Sequence, residues 1–273
     1  SDDGGASWPV VGQPLGGAEL TRVVFVDEQH GWVASGSAEQ DEEGNTTGYA
    51  DGGLALTTDG GESWETVFSG EARKIGALRF LDGRRGHMVS TSMSGSTLEK
   101  TLDGGVTWET MATPTTSAIG EVSGLSDVWF FDGCEGWLLG GAGGNDSGVL
   151  WKTRDGGETW IEEEDREALT LGKILGFPIE ARLVTFDFVD RSVGWASGSY
   201  ETIFRYDADD DPPECDDGGS DGDGGPGSGG VDEAGRCECR AVGRAAERGA
   251  GSPFGLAVLG LTAWLIARRR WRS

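Results

Sequence analysis

The sequence predicts an all-β chain folded as a β-propeller of four-stranded blades. Two alternating motifs carry that prediction. The first is an octad that occurs four times, at Ser1–Trp8, Thr57–Trp64, Thr101–Trp108 and Thr153–Trp160. Its aspartates, Asp3, Asp59, Asp103 and Asp155, are spaced 56, 44 and 52 residues apart. The second motif starts at Val23, Leu78, Val128 and Phe186 and centres on Asp27, Asp82, Asp132 and Asp190, each followed four residues later by glycine. It reads as strand, tight turn, strand, because short β-prone runs such as Trp129-Phe130-Phe131 lead into it. Each octad reads as the turn of a hairpin, entered by a strand such as Val149–Thr153 and left through Thr159-Trp160-Ile161. One motif pair thus supplies four antiparallel strands in about 50 residues, the size of a propeller blade.

The octad residues have turn chemistry. Asp accepts backbone N–H groups two residues on and holds a turn closed. Gly5, Gly61, Gly105 and Gly157 are expected to supply positive φ. Trp8, Trp64, Trp108 and Trp160 cover the turns with a large apolar face. These roles are structural, and no catalytic, cofactor-binding or metal residue is assigned.

The octads match S/T-x-D-x-G-x-S/T-W and so resemble the Asp-box, or BNR, repeat over residues 1–206. Their alternation with F-x-D-x-x-x-G-W is most similar to the photosystem II stability/assembly factor-like group. That resemblance implies a seven-bladed and generally non-enzymatic propeller. Asp boxes also occur in sialidases, in some endoglucanases and in sortilin-type receptors. The octad at residue 1 implies earlier strands of its blade upstream, and Thr202–Asp207 stands where a fifth octad would begin without its Gly and Trp. About four blades are visible, which reads as an N-terminally truncated six- or seven-bladed propeller with a signal peptide expected upstream.

Composition narrows the function classes. The chain has 273 residues and a net charge of -25, which argues against a nucleic-acid partner. Its 49 glycines follow no Gly-X-Y period, excluding collagen, and its 11 tryptophans exclude a chain disordered throughout. The four cysteines form no CxxC pair and only two histidines are present, which argues against structural zinc. Residues 236–273 hold eight Arg and two Glu, so an acidic body ends in a basic tail.

That tail has two parts. Residues 207–235 contain eleven Asp or Glu, nine Gly and three Pro, and read as a disordered acidic linker. No cofactor is expected; calcium in this linker is the alternative, though the spacing lacks the EF-hand order. Residues 236–273 carry Cys237 and Cys239, then an apolar helix at about 251–267, then Arg268, Arg269 and Arg270. The uncharged run from Gly249 to Ala267 would reach roughly 28 Å as a helix, enough to span a membrane with the arginines on the cytoplasmic side. The tail resembles the myxobacterial C-terminal sorting domain. This resemblance implies processing by a membrane protease near Cys237 or Cys239 and transfer to the cell surface or outer membrane.

Catalytic chemistry is weakly represented. A sialidase-like enzyme needs an arginine cluster and a Tyr nucleophile with an acidic partner. Only Tyr49, Tyr200 and Tyr206 are present, and no FRIP-type motif occurs. Runs such as Glu162-Glu163-Glu164-Asp165 read as solvated faces. Residues 37–52 and 162–185 read as insertions between blade strands, the first a loop and the second with a short helix at Arg166–Leu175. His30, His87 and Cys134 fall in turns and suggest no shared site. The reading is a surface-anchored, non-catalytic propeller that binds protein or glycan; a glycoside hydrolase of Asp-box type is the alternative.

Overall fold

The computed structural model describes residues 4–8, 10, 12–70, 72–118, 120–142, 147–163, 170–174, 177–180, 183–199, 202–207 and 270–272. These residues are strands and turns without a helix, arranged as four propeller blades. Blade 1 is β1 (Leu20–Phe25), β2 (Gly31–Ser35), β5 (Gly52–Thr57) and β6 (Glu65–Gly70). Blade 2 is β7 (Lys74–Phe80), β8 (Gly86–Ser92), β9 (Gly95–Thr101) and β10 (Glu109–Thr110). Blade 3 is β12 (Gly120–Phe130), β13 (Gly136–Ala142), β14 (Ser147–Thr153) and β15 (Ile161–Glu162), with β11 (Thr116–Ser117) added beside β12. Blade 4 is β18 (Leu183–Phe188), β19 (Val193–Gly198), β20 (Thr202–Asp207) and β21 (Arg270–Arg272).

Every neighbouring pair is antiparallel; the second motif turns the first strand into the second in each blade, and in blades 1 to 3 the octad turns the third into the fourth. The first strands lie side by side, β1 against β7, β7 against β12 and β12 against β18, and so form the axis of the array.

Three apolar clusters fill the seams between successive blades. Trp32, Ala34 and Leu54 of blade 1 meet Ile75, Leu78 and Met88 of blade 2. Ala77, Val89 and Leu98 of blade 2 meet Leu125, Val128 and Leu138 of blade 3. Trp137, Leu139 and Leu150 of blade 3 meet Phe186, Phe188 and Phe204 of blade 4. Period-2 alternation decides these faces after a register shift near Leu183: Phe186 and Phe188 of β18 are buried, while Asp187 between them faces out.

A ring-on-ring contact recurs at each seam. Phe80 stacks on Trp32 with centroids 3.7 Å apart and planes 4° apart. Phe130 stacks on His87 at 3.8 Å and 10°. Phe188 stacks on Trp137 at 5.7 Å and 26°. In each case the phenylalanine stands two residues before the motif aspartate, and its partner follows the motif glycine of the preceding blade. The glycine is needed for space rather than for the turn. A Cβ at Gly31, Gly86, Gly136 or Gly194 would lie 2.6 Å or 2.7 Å, and at Gly194 2.4 Å, from the cross-strand ring of Phe25, Phe80, Phe130 or Phe188.

Several expectations are corrected. The insertion at 37–52 is no open loop: β3 (Ser37–Gln40) and β4 (Thr46–Ala50) pair as a hairpin whose turn is tied by Asp41 to Asn45. The helix expected at Arg166–Leu175 is contradicted over its described part. β16 (Thr170–Ile174) pairs instead with β17 (Phe177–Glu180), where Gly172 and Pro178 disfavour helix and Ile174 and Ile179 favour extended chain. Outside these corrections, Arg270 lies in β21, which pairs with β20 as the fourth strand of blade 4. Cys237, Cys239, Arg268, Arg269 and the membrane helix at about 251–267 lie outside the described residues, as does nearly all of the linker. Among the described residues no helix is long and apolar enough to cross a membrane.

Candidate functional site

The octad turns consume their own polar groups. The Asp59 carboxylate accepts the Thr57 hydroxyl at 2.8 Å, the Ser63 amide at 2.9 Å and the Ser63 hydroxyl at 2.5 Å. Asp103 does the same with Thr101 and Thr107, and Asp155 with Thr153 and Thr159. The opening threonine also accepts the second glycine's amide, at 2.8 Å for Gly61, 3.0 Å for Gly105 and 2.8 Å for Gly157. The amide donors to these aspartates therefore stand four residues on, not two as the residue types alone suggest. These glycines have φ of 95°, 96° and 87°, the left-handed region that favours glycine.

The hydrogen bonds hold the carboxylates ionised. Those from Ser63 and Thr57 bring Asp59 down to about 2. Burial pushes Asp103 and Asp155 up, and the bonds from Thr107 and Thr159 outweigh it, leaving both below the usual range. The rings complete each turn: Trp108 donates to Gly105 O at 2.9 Å, and Trp160 donates to Ala112 O at 3.0 Å. Trp64 meets Phe25 edge-on. In the first octad Asp3 lies outside the described residues; Gly5 has φ 94°, and Trp8 donates to Gly5 O at 3.2 Å while standing exposed.

The second-motif aspartates are the ones that accept from amides two and three residues on. Asp27 holds Gln29 and His30, Asp82 holds Arg84 and Arg85, Asp132 holds Cys134 and Glu135, and Asp190 holds Ser192 and Val193, all between 2.6 and 2.9 Å. The octad docks on this turn through Gly60 N to Gln29 O, Gly104 N to Arg84 O and Gly156 N to Cys134 O.

Asp132 does more than close its turn. It also accepts from Arg191 of blade 4, whose Nε donates to Glu135 at 3.0 Å; Lys152 lies 2.5 Å from the same glutamate. Burial works against the Arg191 charge, but Asp132 and Glu135 outweigh it and raise its pKa. Asp127, also buried, accepts the Thr185 hydroxyl at 2.5 Å and so ties β12 to β18. This charged network belongs to the seam rather than to a ligand.

His87 is a seam residue within β8, not a turn residue. It is buried, its ring lies on Phe130, and its Nδ1 has no hydrogen-bond partner. Burial, reinforced by Lys100 and Arg85, pushes the imidazole down to about 3. A histidine neutral in the fold but titrating near 6.5 when unfolded costs stability as pH falls below that value. Stability is therefore expected to fall by about 1 kcal/mol between pH 6.5 and 5.5, above the range in which the carboxylates titrate. Urea unfolding across that range measures it, and His87→Phe is expected to flatten the slope.

Side chains left for a ligand gather where the first strands converge. Arg79 of β7 lays its guanidinium 4.2 Å over the Trp129 ring of β12. It also donates to Phe186 O of β18 at 3.3 Å and stands 4.0 Å from Asp187 Oδ1. Three blades meet in this one constellation. A cavity of about 540 Å³ opens beside it, lined by Arg79, Thr185, Asp187, Trp195, Ser197 and Ile203. A second cavity of about 350 Å³ lies at the rim of blade 3, between Thr113–Thr116, Trp160, Glu158 and Glu162. Among the described residues no cluster of three metal-ligating side chains occurs.

The sequence reading assigned none of the Arg79, Trp129 and Asp187 group. Its signal was present: charged or indole side chains stand next to the motif phenylalanine at Arg79, Trp129 and Asp187, where blade 1 has Val24.

No protein-family model matches the chain, and no curated protein matches it. Solved structures similar to it include YCF48 bound to a D1 peptide, at 17% identity and a TM-score of 0.41, covering 71% of this chain and 64% of that one. YCF48 from Cyanidioschyzon merolae is similar at 15% identity and a TM-score of 0.42, covering 74% of each chain. The GH74 xyloglucanase from Xanthomonas campestris is similar at 14% identity and a TM-score of 0.46, covering 69% of this chain and 28% of that one. The chain thus spans less than two thirds of the first of these proteins. The sheet order and seams of the described residues themselves make a four-blade β-propeller arrangement.

Proposed function

We propose that this chain is a non-catalytic β-propeller that binds a protein or glycan ligand at the axial end of its blades, held at the cell surface by its C-terminal tail. The observation that carries the binding reading is the convergence of Arg79, Trp129 and Asp187 from three blades beside an open cavity. Arg and Trp are the side chains that most often dominate binding energy at interfaces. A guanidinium held over an indole can bind a carboxylate or carbonyl through the N–H groups that Phe186 O does not use. The cavity is lined by one carboxylate, Asp187, where glycoside hydrolysis uses a pair.

The finer reading rests on sequence. The octads identify the blades as Asp-box repeats of the assembly-factor-like type. The apolar segment at about 251–267 with Arg268, Arg269 and Arg270 supplies the membrane partner, and a processing protease acts near Cys237 or Cys239. The acidic body has no nucleic-acid partner and needs no cofactor; calcium held by the 207–235 linker is the minor alternative.

The alternative activity, glycoside hydrolysis, draws on the rim cavity, where Glu158 and Glu162 stand beside Trp160. Glu162 already accepts the Ala118 amide at 2.8 Å, which favours a structural role. One experiment separates the two readings. The purified chain is offered to arrays of acidic peptides and glycans, and in parallel to sialyllactose and xyloglucan. Retention that Arg79→Ala weakens about tenfold or more, with no sugar released, is the expected result. Release of sugar that Glu158→Gln or Glu162→Gln abolishes would replace the scaffold with the enzyme.

A further inference from the structure

Each blade has two ends. The second-motif turn and the octad sit together at one of them, since Gly60, Gly104 and Gly156 donate to the carbonyls of Gln29, Arg84 and Cys134. Antiparallel order puts the connections from second to third strand at the far end: 36–51 in blade 1, 93–94 in blade 2 and 143–146 in blade 3. Arg79, Trp129 and Asp187 are each the last residue but one of a first strand, so their constellation lies toward the octad end.

The far end carries the asparagines. The chain has two, Asn45 and Asn145, and each opens an Asn-x-Ser/Thr triplet without proline: Asn45-Thr46-Thr47 and Asn145-Asp146-Ser147. Ser and Thr together are fewer than one residue in six, so chance seldom gives two out of two. Both asparagines also fall in far-end connections. Asn145 lies outside the described residues, so the structural argument rests on Asn45.

Asn45 stands at the tip of the β3–β4 hairpin, within a run from Asp41 to Thr47 that is exposed throughout. Its backbone closes the turn: the amide donates to Asp41 Oδ1 at 2.8 Å, and the carbonyl accepts the Asp41 amide at 3.0 Å. The side-chain Nδ2 donates to the same carboxylate, at 3.0 Å to Oδ2 and 3.2 Å to Oδ1. The turn therefore keeps its backbone bonds whatever happens at Nδ2. The Thr47 hydroxyl donates to Glu39 O at 3.3 Å, a long bond on an exposed strand that an enzyme can displace. Among the described residues β3 and β4 form a sheet of their own, so their outer edges have no strand beside them. A bulky hydrophilic group at the tip would keep such edges from pairing with another chain.

We propose that Asn45 is an N-glycosylation site, which makes the end of the propeller opposite the octads the sugar-bearing end and leaves the Arg79 constellation clear. The proposal rests on the export reading above, because lipid-linked sugar donors are used outside the cytoplasm. The donor is an oligosaccharide carried on a lipid pyrophosphate. A bond forms between Nδ2 and the anomeric carbon of the sugar, and the bond from that carbon to the pyrophosphate oxygen breaks. The lipid pyrophosphate leaves with the electron pair, one amide proton passes to a base of the transferase, and nothing is oxidised or reduced. The second N–H stays on Nδ2, so a hydrogen bond to Asp41 survives the modification.

The test is glycopeptide mass spectrometry of the full chain, isolated from the cells that make it after cytosolic, membrane and surface fractions are separated. A sugar on the Asn45 peptide in the surface fraction is the expected result. Asn45→Gln should abolish it. Thr47→Ala keeps the acceptor amide and removes only the hydroxyl, and it should abolish the sugar too, whereas Thr47→Ser should retain it. Both positions are exposed, so melting temperatures should hold, while the sugar-free variants should be cleaved faster by proteases at the hairpin tip. An unmodified Asn45 on chain recovered from the surface would overturn this inference and leave export standing. A chain that stays unmodified in the cytosol would overturn both. A sugar that survives Thr47→Ala would also overturn it, because the triplet would then not be what is recognised.

Discussion

Trp32→Ala is expected to cost the fold about 3–5 kcal/mol, the range for deleting a fully buried large aromatic. Trp32 has no exposed surface, lies flat on Phe80 and donates its indole N–H across the seam to Gly104 O. The substitution opens a cavity, strips a carbonyl of its donor and removes a ring contact at once. Because the seam joins blades 1 and 2, the loss should appear as separate melting of blade 1, read as early amide exchange over β1, β2, β5 and β6. Trp195→Ala, the same motif position on a face where the ring is 39% exposed, should cost the chain distinctly less than Trp32→Ala.

Asp132→Ala is expected to cost a similar amount, about 3–5 kcal/mol, because it breaks a buried charge network. The Asp132 side chain is 2% exposed, and its removal orphans the amides of Cys134 and Glu135 as well as the Arg191 guanidinium. Asp132→Asn keeps an acceptor for the amides and should cost less. The same substitution in the same motif at Asp27 removes bonds that water can replace, since that side chain is 54% exposed. Urea denaturation of the two alanine variants should therefore separate them clearly. Equal losses would show that the turn, and not the cross-blade ion pair, sets the value of this aspartate.

The blades were legible in the sequence because both motifs are local. An Asp with its donors, and a Gly at positive φ, sit within one octad and need no knowledge of the fold. The seams were not legible because they pair residues about 50 positions apart whose types vary. His87 stands where Trp32 and Trp137 stand, and only the stack on Phe130 shows that it does their work. The motif glycine looked like a turn residue, whereas its role is to leave room for the cross-strand ring of Phe80 or Phe130. The helix expected near residue 170 gives way to the β16–β17 hairpin because Gly172 and Pro178 oppose helix within a charged, leucine-bearing stretch. Arg79 and Trp129 meet only because successive first strands converge on the axis, a consequence of blade packing that no single repeat contains.

Ring-on-ring contacts across each seam join the blades. A double-mutant cycle on Trp32 and Phe80 tests it most directly, with leucine at each position to limit the cavity. The rings are 3.7 Å apart and nearly parallel, and a coupling of about 0.5–1.5 kcal/mol is expected beyond the sum of the single losses. Strictly additive losses would mean that each ring contributes only its own burial, and that the repeating stack does not hold the blades together.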